Sequence, residues 1–437
     1  MSQRRVYADN GDQNGHDSQS QREKEEQTAQ EESHHKDLLQ QRQNPFDTSL
    51  KNFSPIWYVT SMDTGILSII LHQQPYQFHG IGVLSTIMFV LNVVQFTLIS
   101  FFLLLRCIKH PKETYNSVFS NPEDIAYLAA GAVAWLTIAA QLVLTCAQAW
   151  GHGWSVAAIV FWWIGLAWAV TVCAMMIICF ARYNLTGPEQ LSPAVFMPTV
   201  ALATSGAMGG LITSYGVDLS ARLALPTVIV GYMSTGYGFF TCLILYPIFL
   251  QRLMVNGWPP YAKIPGMMLL IGPMGQTGTA LQYLSNAAFI RGVFRTYDEG
   301  TYLQQSAASA TDAASILLSL MILGFAVLWI ILVFFALGEG LVKRQIPLGL
   351  IWWSTIFPLG TVVTCMTALA TEMNSPTWKV LCAIVTIFMF ILYFFNMAFT
   401  IPYIITGRAR GVPKEKDIDH EKAERGQARA ENEEIDS

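Results

Sequence analysis

The stretch SMDTGI, residues 61–66, puts a carboxylate, Asp63, in the middle of an apolar run, FSPIWYVTSMDTGILSIILH, with no lysine or arginine close by in sequence. An ionised aspartate in lipid-like surroundings costs on the order of 2.5–3.5 kcal/mol. A neutral Asp63 tolerates a passing anion and an ionised one repels it, so the position suits a proton-linked gate. The plain alternative is a helix-to-helix hydrogen bond to a polar group such as Gln276 or Gln141. Thr64 follows directly, and similar groups recur in other apolar runs: Thr204, Ser205, Gln276, Thr277, Thr279 and Thr361. Hydroxyls, amides and helix N-termini hold an anion favourably yet weakly enough for it to leave. No Lys or Arg lies deep in any apolar run, which argues against tight binding and for throughput. The alternative for each hydroxyl is a back-bond to the preceding helical turn.

Other chemistries find little to stand on. There is no HExxH, no G-x-x-x-x-G-K-[ST] loop and no second mid-run acid to match Asp63, since Glu339 and Glu372 fall at run ends. An intramembrane enzyme would need paired acids or a metal constellation, so no enzymatic activity, metal or cofactor is expected. The seven cysteines all lie within or at the edge of apolar runs without CxxC spacing and read as small packing residues. His72, His79 and His152 read as interfacial side chains at the outer face, where sensing of external pH is the alternative.

The elements that position these groups follow from charge and hydropathy. Residues 1–52 and 408–437 hold 14 of the 26 Lys and Arg and 19 of the 30 Asp and Glu. The 355 residues between carry only 12 basic and 11 acidic side chains, far below the roughly one quarter charged of soluble domains. The middle therefore reads as membrane-embedded. The ends lack the apolar groups to form a core and read as disordered tails. Neither resembles a signal peptide, so the first span is expected to act as a signal anchor.

Windows of about 20 apolar residues predict ten spans near 53–72, 82–107, 124–149, 154–181, 192–215, 224–250, 263–290, 311–338, 348–371 and 377–406. Ten spans leave both termini on one side. Eleven basic residues would flank the tail side, among them Lys51, Arg252, Lys343 and Arg408, against four on the other side. That bias predicts cytoplasmic termini and leaves the sequons at Asn52 and Asn184 unglycosylated. Odd-numbered spans recur about every 70 residues and carry Gly, Ser, Thr, Ala, Gln and the prolines Pro198, Pro273 and Pro358, whereas even ones are richer in large apolar groups. The pattern predicts five hairpins with a polar-lined inner set and a lipid-facing outer set. Each mid-span proline removes a helix hydrogen bond and frees a carbonyl. Close helix packing is the alternative use of the small residues.

Several short segments, TGI with HQQPYQF (72–78), WWIG (162–165), GPMGQ (272–276), and WW with FPLG (352–353 and 357–360), occur in order on this frame. With them, residues 53–407 resemble the tellurite-resistance/dicarboxylate transporter superfamily. That superfamily includes slow anion channels, malate permeases and fungal sulfite efflux pumps, and the sulfite pumps are the nearest branch. The resemblance implies a pseudo-fivefold ring of hairpins around a central pore, plugged by a phenylalanine beside the ninth-span proline, here Phe357. It also marks a departure, because the sulfite pumps carry a glycine where this chain has Asp63.

The expected organisation is thus an all-α, multi-pass transporter domain at 53–407 between cytoplasmic tails at 1–52 and 408–437. It is placed in the plasma membrane, with Phe357 as pore gate and Asp63, Thr64 and Gln276 as pore-lining or proton-coupling residues. The partners are a small inorganic or organic anion and the lipid bilayer. Nucleic acid is not expected, and trimeric branches of the superfamily imply a homo-oligomer. The first substrate reading is sulfite or bisulfite efflux. A cell interior is negative, and outward movement of one negative charge gains about 2.3 kcal/mol per 100 mV, so a monoanion needs no ATP. The alternative, proton-coupled malate or C4-dicarboxylate transport, works against about twice that cost when it drives uptake of a dianion.

Overall fold

The computed structural model describes residues 45–183 and 191–405. The tails up to residue 44 and beyond 405, and the sequon at Asn184, lie outside the described residues. Two compact units are distinguished: Ser54–Pro402, and a second whose described parts are residues 45–53, with the helix Pro45–Lys51, and residues 403–405.

The first unit is helical. Its long helices are α1 (Tyr58–Gln73), α2 (Ile81–Lys109), α3 (Pro122–Gln141), α4 (His152–Tyr183) and α5 (Met197–Tyr215). They continue with α6 (Ala221–Asn256), α7 (Gly272–Phe289), α8 (Gln305–Val342), α9 (Ile356–Glu372) and α10 (Pro376–Ile405). Among the described residues, 8 helices are long and apolar enough to cross a membrane. α1 and α7 are not among them. α1 has 16 residues and α7 has 18, about 24 and 27 Å at the usual helical rise, and their Ser, Thr, Gly, Asp and Gln content lowers their hydropathy.

The odd-numbered helices pack on one another in a closed order: α1 on α3, α3 on α5, α5 on α7, α7 on α9, and α9 back on α1. The even-numbered helices cover the grooves between them. α2 lies on α1 and α3, α4 on α3 and α5, α6 on α5 and α7, and α8 on α7 and α9. α10 meets α9 where Thr367 donates to the Cys382 sulfur at 3.5 Å, and meets α1 where the Tyr393 and Thr64 hydroxyls lie 3.0 Å apart. Burial follows the same division. The most apolar window of the α5 span is 100% buried and that of α2 only 17%. On α2 the exposed Val83, Ile87, Val90, Val94, Leu98 and Phe101 recur at helical spacing, the stripe expected of a lipid-facing helix.

The prolines act differently from the sequence expectation. Pro198 and Pro273 occupy the second position of α5 and α7, and Pro358 the third position of α9. Each follows a 3-10 segment: Pro193–Phe196, Tyr261–Leu270 and Leu350–Thr355. They start helices rather than interrupt them, because first-turn amides have no intrahelical acceptor and proline gives up nothing there. The segment before α9 is tied to α10, with Trp353 donating to the Thr400 hydroxyl at 2.8 Å and Asn396 to the Trp352 carbonyl at 3.1 Å. The break at 291–310 is also shorter than expected, because it holds the helix Val293–Tyr297 and α8 already begins at Gln305.

Small residues set the distances between the inner helices. A Cβ on Gly65 would lie 2.1 Å from the Thr137 hydroxyl and 2.6 Å from Asn92 Nδ2, and one on Gly275 would lie 2.7 Å from the Thr361 carbonyl carbon. Buried polar links fasten the same corner: Ser61 donates to Asn92 Oδ1 at 2.6 Å, and Asn92 to Thr137 at 3.1 Å. Gly65→Ala is expected to lower stability by about 1–3 kcal/mol through overpacking, read as a reduced thermal midpoint in detergent. An unchanged midpoint would show that α1, α2 and α3 do not meet at this closeness.

Candidate functional site

The first turn of α9 and the middle of α1 meet at Asp63. The Asp63 side chain is fully buried, and its Oδ1 accepts the backbone N–H of Phe357 at 3.0 Å. Phe357 is the second residue of α9 and is also fully buried. Thr355, at the N-cap, makes no side-chain cap to this helix, so the carboxylate of another helix takes that place. A carboxylate at a helix N-terminus meets both an unpaired amide and the positive end of the helix dipole, which offsets part of the cost of burying it. Neither partner expected from sequence is used. Gln141 donates to the Ser68 hydroxyl at 2.6 Å, and Gln276 makes no bond to Asp63. Asp63 Oδ2 has no hydrogen-bond partner.

Gln276 is fully buried on α7, and both its Nε2 and its Oε1 lack partners. Met274, Thr277 and Leu281 line an outward crevice of about 460 Å³ together with residues of α6 and α8. At about 100° per residue, Gln276 and Tyr283 fall on the opposite, inward side of α7, with Thr279 between them turned toward α9. Gly275 abuts the backbone of Thr361 and Val362, so Gln276 lies about one helical turn beyond Phe357, roughly 6 Å along α9.

Thr64 is placed otherwise than its sequence role suggests. Its hydroxyl bonds the Thr60 carbonyl at 2.8 Å and lies 2.7 Å from Gln95 Oε1 on α2 and 3.0 Å from the Tyr393 hydroxyl on α10. It is spent on the outer helices and turned away from Gln276. Thr277 repeats that position on α7, back-bonded to Pro273 at 2.7 Å and facing the crevice. Asp63-Thr64-Gly65 and Gln276-Thr277-Gly278 are therefore two copies of one pattern. In each the threonine faces outward, and Asp63 and Gln276 hold equivalent places one step round the helix. That alignment is a signal the sequence carries.

Three of the remaining hydroxyls are committed to their own helices: Thr204 donates to Val200 at 2.8 Å, Ser205 to Ala201 at 2.9 Å and Thr361 to Pro358 at 2.6 Å. Thr279 is turned onto α9, its hydroxyl 3.0 Å from the Gly275 carbonyl and 2.9 Å from the Thr364 hydroxyl. A hydroxyl has one proton, so in this arrangement Thr204, Ser205 and Thr361 turn lone pairs, and no donor, toward the space between helices. The free donor among the sequence candidates is the Gln276 amide. The buried orphan atoms of Gln276 and Asp63 each carry a desolvation cost of about 1–3 kcal/mol or more, which is unusual for purely structural side chains.

Sequence reasoning passed over Tyr283, Gln73 and Asp312. The Tyr283 hydroxyl donates to Gln73 Oε1 at 2.7 Å, and Ser285 donates to Asp312 Oδ1 at 2.7 Å. The expected start of the eighth span at 311 puts Asp312 at an edge, whereas α8 begins at Gln305 and carries it inside the helix.

Comparison with known proteins bears on this arrangement. The model of the family described as SLAC1, voltage-dependent anion channel, matches residues 52–401. The sulfite efflux pump SSU1 of Arthroderma benhamiae is 29% identical over 334 residues, 76% of this chain and 86% of the relative. The sulfite efflux pump SSU1 of Trichophyton rubrum is also 29% identical over 334 residues, with the same 76% and 86% coverage. The malic acid transport protein of Schizosaccharomyces pombe is 25% identical over 245 residues, 56% of this chain and 55% of the relative.

Proposed function

The chain belongs to the voltage-dependent anion channel family, and from that premise we propose that it carries sulfite or bisulfite out of the cell, with malate as the second substrate class. The observation that carries the proposal is the inward-facing Gln276, fully buried with a free amide donor. An anion accepts from such a donor without the tight hold of a fixed positive charge, and so it can leave again. The preference for sulfite over malate rests on the Arthroderma benhamiae and Trichophyton rubrum sulfite pumps, 29% identical over 76% of this chain, against 24% over 70% and 25% over 56% for the two Schizosaccharomyces pombe malic acid relatives.

The proposed path runs between five helical hairpins arranged as a ring, with the odd-numbered helices inside. Their closed contact order and the even helices in the outer grooves support this. It counts α1 and α7 as spans, each lengthened by the 3-10 segment before it, Pro55–Trp57 and Tyr261–Leu270. The tails are placed in the cytoplasm on the bias of basic residues, in the plasma membrane as efflux requires. Phe357 is the gate. Asp63 holds its backbone and reports pH to the path, the neutral carboxyl letting anions pass. The titratable group nearest to this turn of α1 on α10 is the Tyr393 phenol, 3.0 Å from the Thr64 hydroxyl. The other nearby polar groups turned toward α1, Asn92, Gln95 and Thr137, do not titrate.

Initial anion flux in proteoliposomes tests both parts. Sulfite is expected to move faster than malate, nitrate or chloride without an imposed pH gradient, and its flux is expected to fall as pH rises through the titration of Asp63. Asp63→Asn fixes the neutral form and should keep flux high across about pH 5 to 8. Faster malate flux that depends on a proton gradient would reverse the substrate assignment. A wild-type pH profile in Asp63→Asn would make the carboxylate structural.

A further inference from the structure

We infer that Tyr283 and Gln73 form a second gate, at the end of the path away from the tails, so that Gln276 lies in a chamber closed at both ends. The inference rests on the reading of an anion path between the odd-numbered helices. Tyr283 belongs to α7 and Gln73 is the last residue of α1. In the closed order of contacts these helices are two steps apart, with α9 between them. A hydrogen bond joining them therefore reaches over the space the five helices enclose, unlike the bonds between packed neighbours. The bond is well formed, with the Tyr283 hydroxyl 2.7 Å from Gln73 Oε1.

The two partners differ in how firmly they are held. Tyr283 is buried, and its backbone is clamped by α5. Ser214 donates to its carbonyl at 3.1 Å, and a Cβ on Gly210 would lie 2.7 Å from its carbonyl carbon. Gln73 ends its helix and is only half-buried. The ring is thus the fixed post and Gln73 the movable latch, free to swing away when the last turn of α1 loosens.

The spacing makes the device a chamber rather than a thickened single plug. Gln276 and Tyr283 are seven residues apart on the same side of α7, about 10 Å along the axis, and Phe357 lies about 6 Å beyond Gln276 in the other direction. An anion on the Gln276 amide would be enclosed between two aromatic side chains that belong to different helices and are held by different partners. The two ends can then open separately: Phe357 is governed by Asp63 on α1, and Tyr283 by Gln73 at the far end of the same helix.

The test uses Gln276→Cys, which places a thiol on α7 between the levels of Phe357 and Tyr283, in the full-length protein, with flux read in the same variants carrying the native Gln276. Labelling by a small membrane-impermeant thiol reagent is measured from each side, above the background of the native cysteines, in parallel with sulfite flux. Tyr283→Phe keeps the ring and removes the latch, and Gln73→Leu removes the other partner. Either should speed labelling from the side opposite the tails by roughly two- to tenfold, the range for losing one neutral hydrogen bond. Access from the tail side should stay unchanged. Phe357→Ala should do the reverse, and the double variant Tyr283→Phe with Phe357→Ala should leak anions more than either single variant. If Phe357→Ala raises flux while Tyr283→Phe and Gln73→Leu change neither labelling nor leak, the outer gate is wrong and the path stands. If the thiol is reached from neither side in any variant, the path itself is wrong and the gate with it.

Discussion

Phe357→Ala raises anion flux by about tenfold or more, equivalent to removing a barrier of ~1.4 kcal/mol. The ring sits on the second residue of α9, at a helix start made by the 3-10 segment Leu350–Thr355 and Pro358. Its backbone cannot drift freely, because Asp63 Oδ1 holds its amide at 3.0 Å. A side chain on a pinned backbone blocks or clears a path by its own bulk and rotamer, so truncation acts directly on the opening. The ring is fully buried, and deleting a buried phenylalanine ordinarily costs about 3–5 kcal/mol of stability. A gate therefore predicts an unusual pair of results: a faster protein that is also less stable. Phe357→Leu, which keeps much of the bulk, should retain low flux. Unchanged flux in a well-inserted Phe357→Ala protein would reduce Phe357 to a packing residue.

The sequence disclosed these features unevenly, for physical reasons. Hydropathy marks α2, α4, α6, α8 and α10 most clearly, because these helices carry exposed large apolar side chains along their length. It is weakest for α1 and α7, which carry the functional candidates, because the polar groups that make them useful also make them look less like spans. Proline signalled an irregularity at 198, 273 and 358 but not its kind. A helix start and a helix break use the same residue, and only the 3-10 segments before them tell the two apart. The partner of Asp63 could not be read at all, since a backbone amide has no residue type and Phe357 is 294 positions away. The bond from Tyr283 to Gln73 spans 210 positions, and its meaning depends on the order in which helices touch. By contrast, the opposed duties of Thr64 and Gln276 were written in the chain as the paired DTG and QTG patterns. Each threonine back-bonds toward the outer helices and leaves its preceding neighbour on the inner side.

Gln276→Leu should abolish most transport while leaving the protein as stable as wild type or more so. The two effects have opposite signs because the amide is badly placed as a structural group. Both its ends are buried without partners, and each unpaired end costs about 1–3 kcal/mol. Leucine fills a similar volume without that cost, so thermal unfolding in detergent should shift upward or stay in place. The anion, in turn, loses a hydrogen bond in which it is the charged acceptor, worth about 1.5–3 kcal/mol, or roughly a ten- to hundredfold loss of flux at subsaturating sulfite. Gln276→Glu separates donor from shape. It keeps the length of the side chain but presents an acceptor, and when ionised a like charge, so it should lose flux at least as fully as leucine and recover some of it at low pH. The measurements are initial sulfite flux in matched proteoliposomes and the thermal midpoint of each variant. If Gln276→Leu transports at the wild-type rate, the amide does not touch the anion and its burial needs another cause. If flux and midpoint fall together, Gln276 is a structural contact whose partners form only in another state of the protein.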